Sequence, residues 1–293
     1  MRIVTLFFLT GVLFASCEKD ISVNLHQQVD KLVVEGKIES GRYPQVVLTR
    51  SLDYFSRIDP AQLLNSFVHG AVVTVSNGSK TITLKEYAGN AGGGTPLFFY
   101  SADSMQLGNA FRGEVNMTYT LKIVADNKSY EAVTTIPPIT LLLDDMFWQK
   151  ARSKEDSTKA RLIVRIIDPP DLGNYARYFT KRNREPYYPG LNSVINDELT
   201  NGTTFDMGVD AGVDRNKKID FEASGYFERG DTVTLKFCNI DKATYDFWRT
   251  LDFAFSSTGN PFSSPTQILS NVSGALGYWG GYTVQHKTII IPK

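Results

Sequence analysis

From Lys31 to Pro138 apolar and polar residues alternate with a period of two, in short runs closed by turn residues. That periodicity restricts the stretch to β-structure, because only a strand puts every second side chain on one face. Leu32–Ile38 and Val46–Thr49 read as strands joined by a turn at Gly41-Arg42. Ala71–Ser76 and Lys80–Tyr87 flank Asn77-Gly78, a dipeptide that tolerates the positive φ angles of a tight hairpin. Tyr119–Ala125 and Ser129–Ile136 flank Asp126-Asn127 and predict a second hairpin. Asp59 followed by Pro60 predicts a short helix through Asn65, with an Asp cap and Pro in the first turn. Pro137-Pro138 then ends the sheet, since neither residue can donate to a ladder.

Regularly spaced strands with turn signals predict a β-sandwich of immunoglobulin or transthyretin type over residues 31–138. Residues 139–293 are expected to form a second β-rich domain. Its strands are Arg161–Ile167, Tyr175–Thr180, Thr232–Cys238 and a closing strand Tyr282–Ile291, with a helix over 241–255 capped by Asp241. On that helix Ala243, Phe247, Leu251 and Ala254 share one face. The fold class expected is therefore mostly β.

The first sixteen residues read as a leader. Arg2 supplies the positive end, and Ile3–Phe14 form an apolar stretch too short for the ~20 residues a membrane span needs. Leu13-Phe14-Ala15-Ser16-Cys17 resembles the bacterial lipobox, which implies cleavage before Cys17 and acylation of that residue. Residues 17–30 would then be a lipidated tether, and two or more acyl chains anchor firmly. Glu18-Lys19-Asp20 resembles the acidic tract that carries lipoproteins of the Bacteroidetes to the outer face of the outer membrane; the periplasmic face is the alternative. Nothing after Cys17 is long and apolar enough to predict a further span.

Charge excludes some classes of function. The chain holds 31 basic and 31 acidic residues, and losing Arg2 with the leader leaves one acidic residue in excess. Nucleic-acid binding is not expected from that balance. Two cysteines exclude a disulfide scaffold, and Cys238 reads as a buried small hydrophobe. Three histidines, His26, His69 and His286, stand in unrelated segments and argue against a His-based metal centre. Asp206, Asp210, Asp214 and Asp220 are candidates for calcium, though their four-residue spacing is not that of a calcium loop and a solvated loop is the simpler reading. No Gly-x-Ser-x-Gly elbow, phosphate-cradling glycine loop or zinc-ligand pair is present, and no cofactor is expected.

Aromatic residues in Gly- and Pro-bearing segments are the candidates for recognition: Tyr187, Tyr188, Phe262, Tyr278, Trp279 and Tyr282. The alternative is that these rings fill the core. Carboxylates such as Asp144 or Asp206 would serve a glycan or peptide hydrolase, the competing class, and a structural or adhesive envelope component is a third.

Gly230–Val233, Ile240–Trp248, Asn260–Pro265 and Asn271–Tyr278, with Leu32–Gly36, Val47–Ser51 and Val72–Ser76, resemble the signature segments of the domain-of-unknown-function 4249 family of Bacteroidetes lipoproteins. Ala275 departs from the pattern, where a second glycine is expected. The family has no assigned catalytic residues. The resemblance implies a non-enzymatic accessory or ligand-capturing subunit, partnered with a TonB-dependent outer-membrane transporter and held in the membrane through Cys17.

Overall fold

The computed structural model describes residues 30–52, 60–90, 96–151, 158–215, 217, 219, 225–257 and 266–293. The leader, most of the tether with Cys17, His26, Asp220 and Phe262 lie outside the described residues. The protein is mostly β. Twelve strands form one sheet in the order β11-β10-β14-β16-β1-β2-β5-β4-β3-β6-β7-β15. In chain order its first seven are β1 (Leu32–Glu39), β2 (Gln45–Arg50), β3 (Val72–Ser76), β4 (Thr81–Asn90), β5 (Pro96–Ala102), β6 (Thr118–Ala125) and β7 (Lys128–Thr135). The others are β10 (Tyr175–Arg182), β11 (Tyr188–Asn196), β14 (Thr232–Ile240), β15 (Val272–Ser273) and β16 (Leu276–Ile290). A smaller sheet is built on β9 (Lys159–Ile167), which pairs with β8 (Leu142–Lys150), β12 (Thr204–Val209) and β13 (Phe227–Glu228). Among the described residues there are also two α-helices, α1 (Pro60–Asn65) and α2 (Lys242–Ser257), and a short 3-10 turn at Leu107–Asn109.

Both predicted hairpins form. Asn77 Oδ1 accepts hydrogen bonds from the amides of Ser79 and Lys80, and Gly78 has φ 89°, so the β3–β4 turn uses both residues as turn chemistry demands. Asp126 and Asn127 sit at φ 51° and 58°, the paired left-handed conformation of the tightest hairpin turn, between β6 and β7. Asp241 caps α2 through a 2.8 Å bond from the Thr244 amide to its Oδ1.

The expected boundary between residues 138 and 139 does not separate the sheets. β16 lies in the interior of the large sheet, parallel to β1 and antiparallel to β14, so the last strand joins strands from both sides of the boundary. It is also longer than the closing strand expected over 282–291, since it begins at Leu276. Residues 277–283 are buried on both faces, which hides the period-two signal and explains the misreading.

Three hydrophobic clusters follow from this arrangement. The strands β1–β7 curl so that β7 comes against β16, and their inward residues enclose Trp279. The opposite face of β10 and β14 packs on the small sheet through Ala176, Tyr178, Leu235 and Phe237. The third cluster lies under α2, where Tyr245 and Phe247 meet Cys238, Ile240, Tyr278 and Tyr282. Ala243, expected on the buried face of this helix, is exposed, because the face turned to the sheet centres on Thr244, Phe247 and Asp252.

A cleft of aromatic rings and cations

Pairing registers align one face of four adjacent strands. β10 presents Tyr175, Arg177 and Phe179; β14 presents Lys236, Cys238 and Ile240; β16 presents Tyr278 and Tyr282; β1 presents Lys37 and Glu39. Helix α2 covers part of this face and leaves the rest as the floor of a cleft of about 420 Å³. That size is in the range of small-molecule sites. The walls come from Tyr187, Tyr188 and Pro189 at the start of β11, from Val213–Arg215, and from Trp248 of α2.

Four of the six recognition candidates therefore meet in one place: Tyr187, Tyr188, Tyr278 and Tyr282. The segments that carry them are not irregular loops. Tyr188 opens β11, and Tyr278 and Tyr282 lie inside β16, four residues apart and on one face. Trp279 points the other way. It is fully buried, donates its indole N–H to the Tyr119 carbonyl at 3.0 Å, and belongs to the core, which corrects its candidacy as a cleft residue. The physical reason is the strand itself, since neighbouring side chains take opposite faces.

The centre of the floor is a stack that the sequence reading missed. The Arg177 guanidinium carbon lies 3.3 Å from the ring centre of Trp248 and 4.7 Å from that of Phe179. Its Nε donates to Ser193 Oγ at 3.1 Å. Only 3% of the residue is exposed. Among the described residues no carboxylate comes within ion-pair distance of it, although its charge acts on Glu35 of β1 from further away. The sequence signal for this site was present. An arginine between Tyr175 and Phe179 at strand spacing places a charge on an aromatic face, a rule break that marks function more often than structure.

Around the stack, Trp248 Nε1 donates to Tyr282 Oη at 3.1 Å, and Phe247 stacks on Tyr278 at 4.8 Å. Burial pushes the Tyr282 phenol up to about 12 and holds that of Tyr278 well above 10. Glu39 carries two lysines, Lys236 at 2.6 Å and Lys37 at 3.5 Å. Burial alone would raise its carboxyl, but the two lysines outweigh burial and hold it below 4.5. Arg215 pairs with the buried Asp252 at 2.6 Å, which also accepts from the amide and hydroxyl of Ser193. Four cations and two carboxylates line the cleft.

The calcium candidates do not converge. Asp206 makes a two-bond fork with Arg165 at 2.8 and 3.0 Å on the small sheet, while Asp214 lines the cleft wall with the Tyr188 hydroxyl at 3.4 Å. The carboxyl of Asp210 is raised by burial. Among the described residues no three His, Cys, Asp or Glu side chains are grouped so as to hold a metal ion. Asp144 and Asp145 lie on β8, away from the cleft. Cys238 is fully buried and its thiol is pushed up to about 12, as a small core residue should be. A larger hollow of about 590 Å³ runs along β4 beside Asp103–Ala110, but no aromatic ring lines it and it offers no stacked charge.

A search of curated proteins found no match. A family model matches residues 18–288, nearly the whole chain and every strand that forms the cleft. The chain belongs to the family described as a domain of unknown function, DUF4249.

Proposed function

We propose that this protein is an outer-membrane, cell-surface lipoprotein anchored through Cys17, and that it serves as a non-enzymatic binding subunit of a TonB-dependent transporter. The observation that carries the binding part is the convergence of Tyr187, Tyr188, Tyr278 and Tyr282 with Arg177 and Trp248 in one cleft. Aromatic platforms edged by charged groups are the chemistry of ligand capture. Asp206, one of the carboxylates named for a hydrolase, is set differently. Arg165 holds the Asp206 carboxyl low, where a general acid needs it raised. Among the described residues no helix is long and apolar enough to cross a membrane, so attachment in this reading falls to Cys17. A shared membrane raises the effective concentration of both partners, so a weak interface suffices.

The test is to extract the lipidated protein from its native outer membrane in mild detergent and identify what accompanies it in stoichiometric amount. A TonB-dependent transporter is the expected companion. A clean monomer, unchanged by crosslinking before extraction, would refute the accessory role.

A further inference from the structure

We propose that the cleft takes an acidic saccharide, with the sugar carboxylate placed on Arg177. The inference rests on the reading of this cleft as a ligand site and names the ligand's class. An arginine with only 3% of its surface exposed and no carboxylate within ion-pair distance among the described residues is an unusual object. Taking a cation out of water costs several kcal/mol unless an anion or strong acceptors replace the water. Ser193 occupies only Nε, and the guanidinium carbon lies over the rings of Trp248 and Phe179. Among the described residues its two terminal nitrogens have no hydrogen-bond partner, and a guanidinium N–H edge binds a carboxylate through two parallel hydrogen bonds. Arg177 itself lines the cleft.

The neighbouring charges favour the same sign. Lys236 stands on β14, the strand next to Arg177's own, and Lys37 two strands further on in β1; they share Glu39 between them, so the two lysines are not fully neutralised. Arg215 stands opposite with its charge matched by Asp252, which leaves Arg177 and the lysine pair to set the sign. An uncharged apolar ligand would strand these groups without water, which is costly.

The body of the ligand is set by the remaining surface. Tyr187 and Tyr188 bring aromatic rings to the cleft wall, and Tyr187 is 38% exposed. Donors and acceptors both stand at the rim: Lys37 and Arg215 donate, Glu39 and Asp214 accept. A flat aromatic acid would use the rings but leave the acceptors idle. A pyranose ring presents C–H groups to an aromatic face and hydroxyls to both kinds of polar partner, and about 420 Å³ accommodates one to two such rings.

The test is calorimetric titration of the full-length lipidated protein in detergent micelles. The probes are di- and trisaccharides of glucuronate and galacturonate, their methyl esters, the neutral parent sugars, an aromatic carboxylate and a short peptide with a free carboxyl terminus. The acid sugars should bind roughly tenfold or more tightly than their methyl esters, the loss expected for removing a charge-assisted hydrogen bond. Arg177→Gln should abolish that preference. Should that variant fold poorly, Lys37→Gln at the exposed rim should lower the acid-over-ester ratio several-fold while ester binding stays the same. Equal binding of acid and ester would overturn the anion assignment and leave the ligand-site reading standing. Tighter binding of the aromatic acid or the peptide would overturn the saccharide assignment, as would no binding by any of the acidic sugars. Co-purification with a transporter is read separately, so failure here and failure of the accessory role are distinguishable.

Discussion

Gly36 of β1 packs directly on the indole of Trp279: a Cβ placed on Gly36 would lie 2.7 Å from Trp279 Cε3. The tryptophan is wholly buried and anchors the last long strand to the first. Gly36 closes the segment Leu32–Gly36 that the sequence singles out, Trp279 is one of its aromatic candidates, and their contact explains why the glycine is needed. No other residue leaves the ring room.

Gly36→Ala should destabilise the protein by about 1–3 kcal/mol, the usual result of overpacking a filled core. Gly108→Ala is the control, since a Cβ there meets nothing within 4 Å. Denaturant titrations of both variants check the prediction, and equal midpoints would contradict it.

Asp241 holds two parts of the fold at once. One carboxylate oxygen caps α2 at the Thr244 amide, and the other accepts from Thr134 Oγ1 at 2.5 Å and from the Thr135 amide at 3.3 Å in β7. Asp241→Ala should therefore cost about 2 kcal/mol, the upper end for a lost cap. Asp241→Asn, which keeps one of the two acceptors, should cost less. Thermal unfolding of the two variants separates these outcomes.

Glu39 sets a pH dependence. Its carboxyl is depressed in the folded protein, so the unfolded chain takes up the proton first and the ion pairs contribute stability above the unfolded value near 4.5. That contribution should fade as pH drops below 4.5 and through the lower folded value. His286, the other titrating group facing Lys236, has its pKa lowered by burial and by that lysine, and subtracts stability as pH falls through 6.5. Urea midpoints measured from pH 7 to 3 should decline in both windows. Glu39→Gln should shrink the lower decline and, because the Glu39 charge holds the His286 pKa up, deepen the upper one.

The Cys238 thiol should be inert in the native state, because it is buried and pushed up to about 12. A thiol reagent applied at pH 8, followed by peptide mass mapping, should label Cys238 only after denaturant is added. Native-state labelling as fast as that of a free thiol would contradict the placement.

The half-buried parts of the molecule were plain in the residues. Asn77-Gly78 and Asp126-Asn127 place their hairpins because few residues accept those backbone angles, and the flanking strands alternate because one face meets water. Asp241 placed its helix for an equally local reason. β16 was misread at its start because Gly277–Thr283 are buried on both sides, and a strand covered twice has no alternation to read. The cleft aromatics were half legible: Tyr278 and Tyr282 could be named, but not separated from Trp279, whose ring faces the core.

Strand content, turn positions and the helix cap are consequences of local chemistry, and the amino-acid order was enough to find them. Which strands became neighbours was a matter of long-range packing. Arg177 and Lys236 are 59 positions apart, and Lys236 reaches Glu39 across 197. Pairing β1 with β16 and β14 with β10 brought those charges onto one floor, and the covering helix turned Trp248 onto Arg177. No local propensity encodes such a meeting, because its free energy comes from burying faces that lie far apart along the chain.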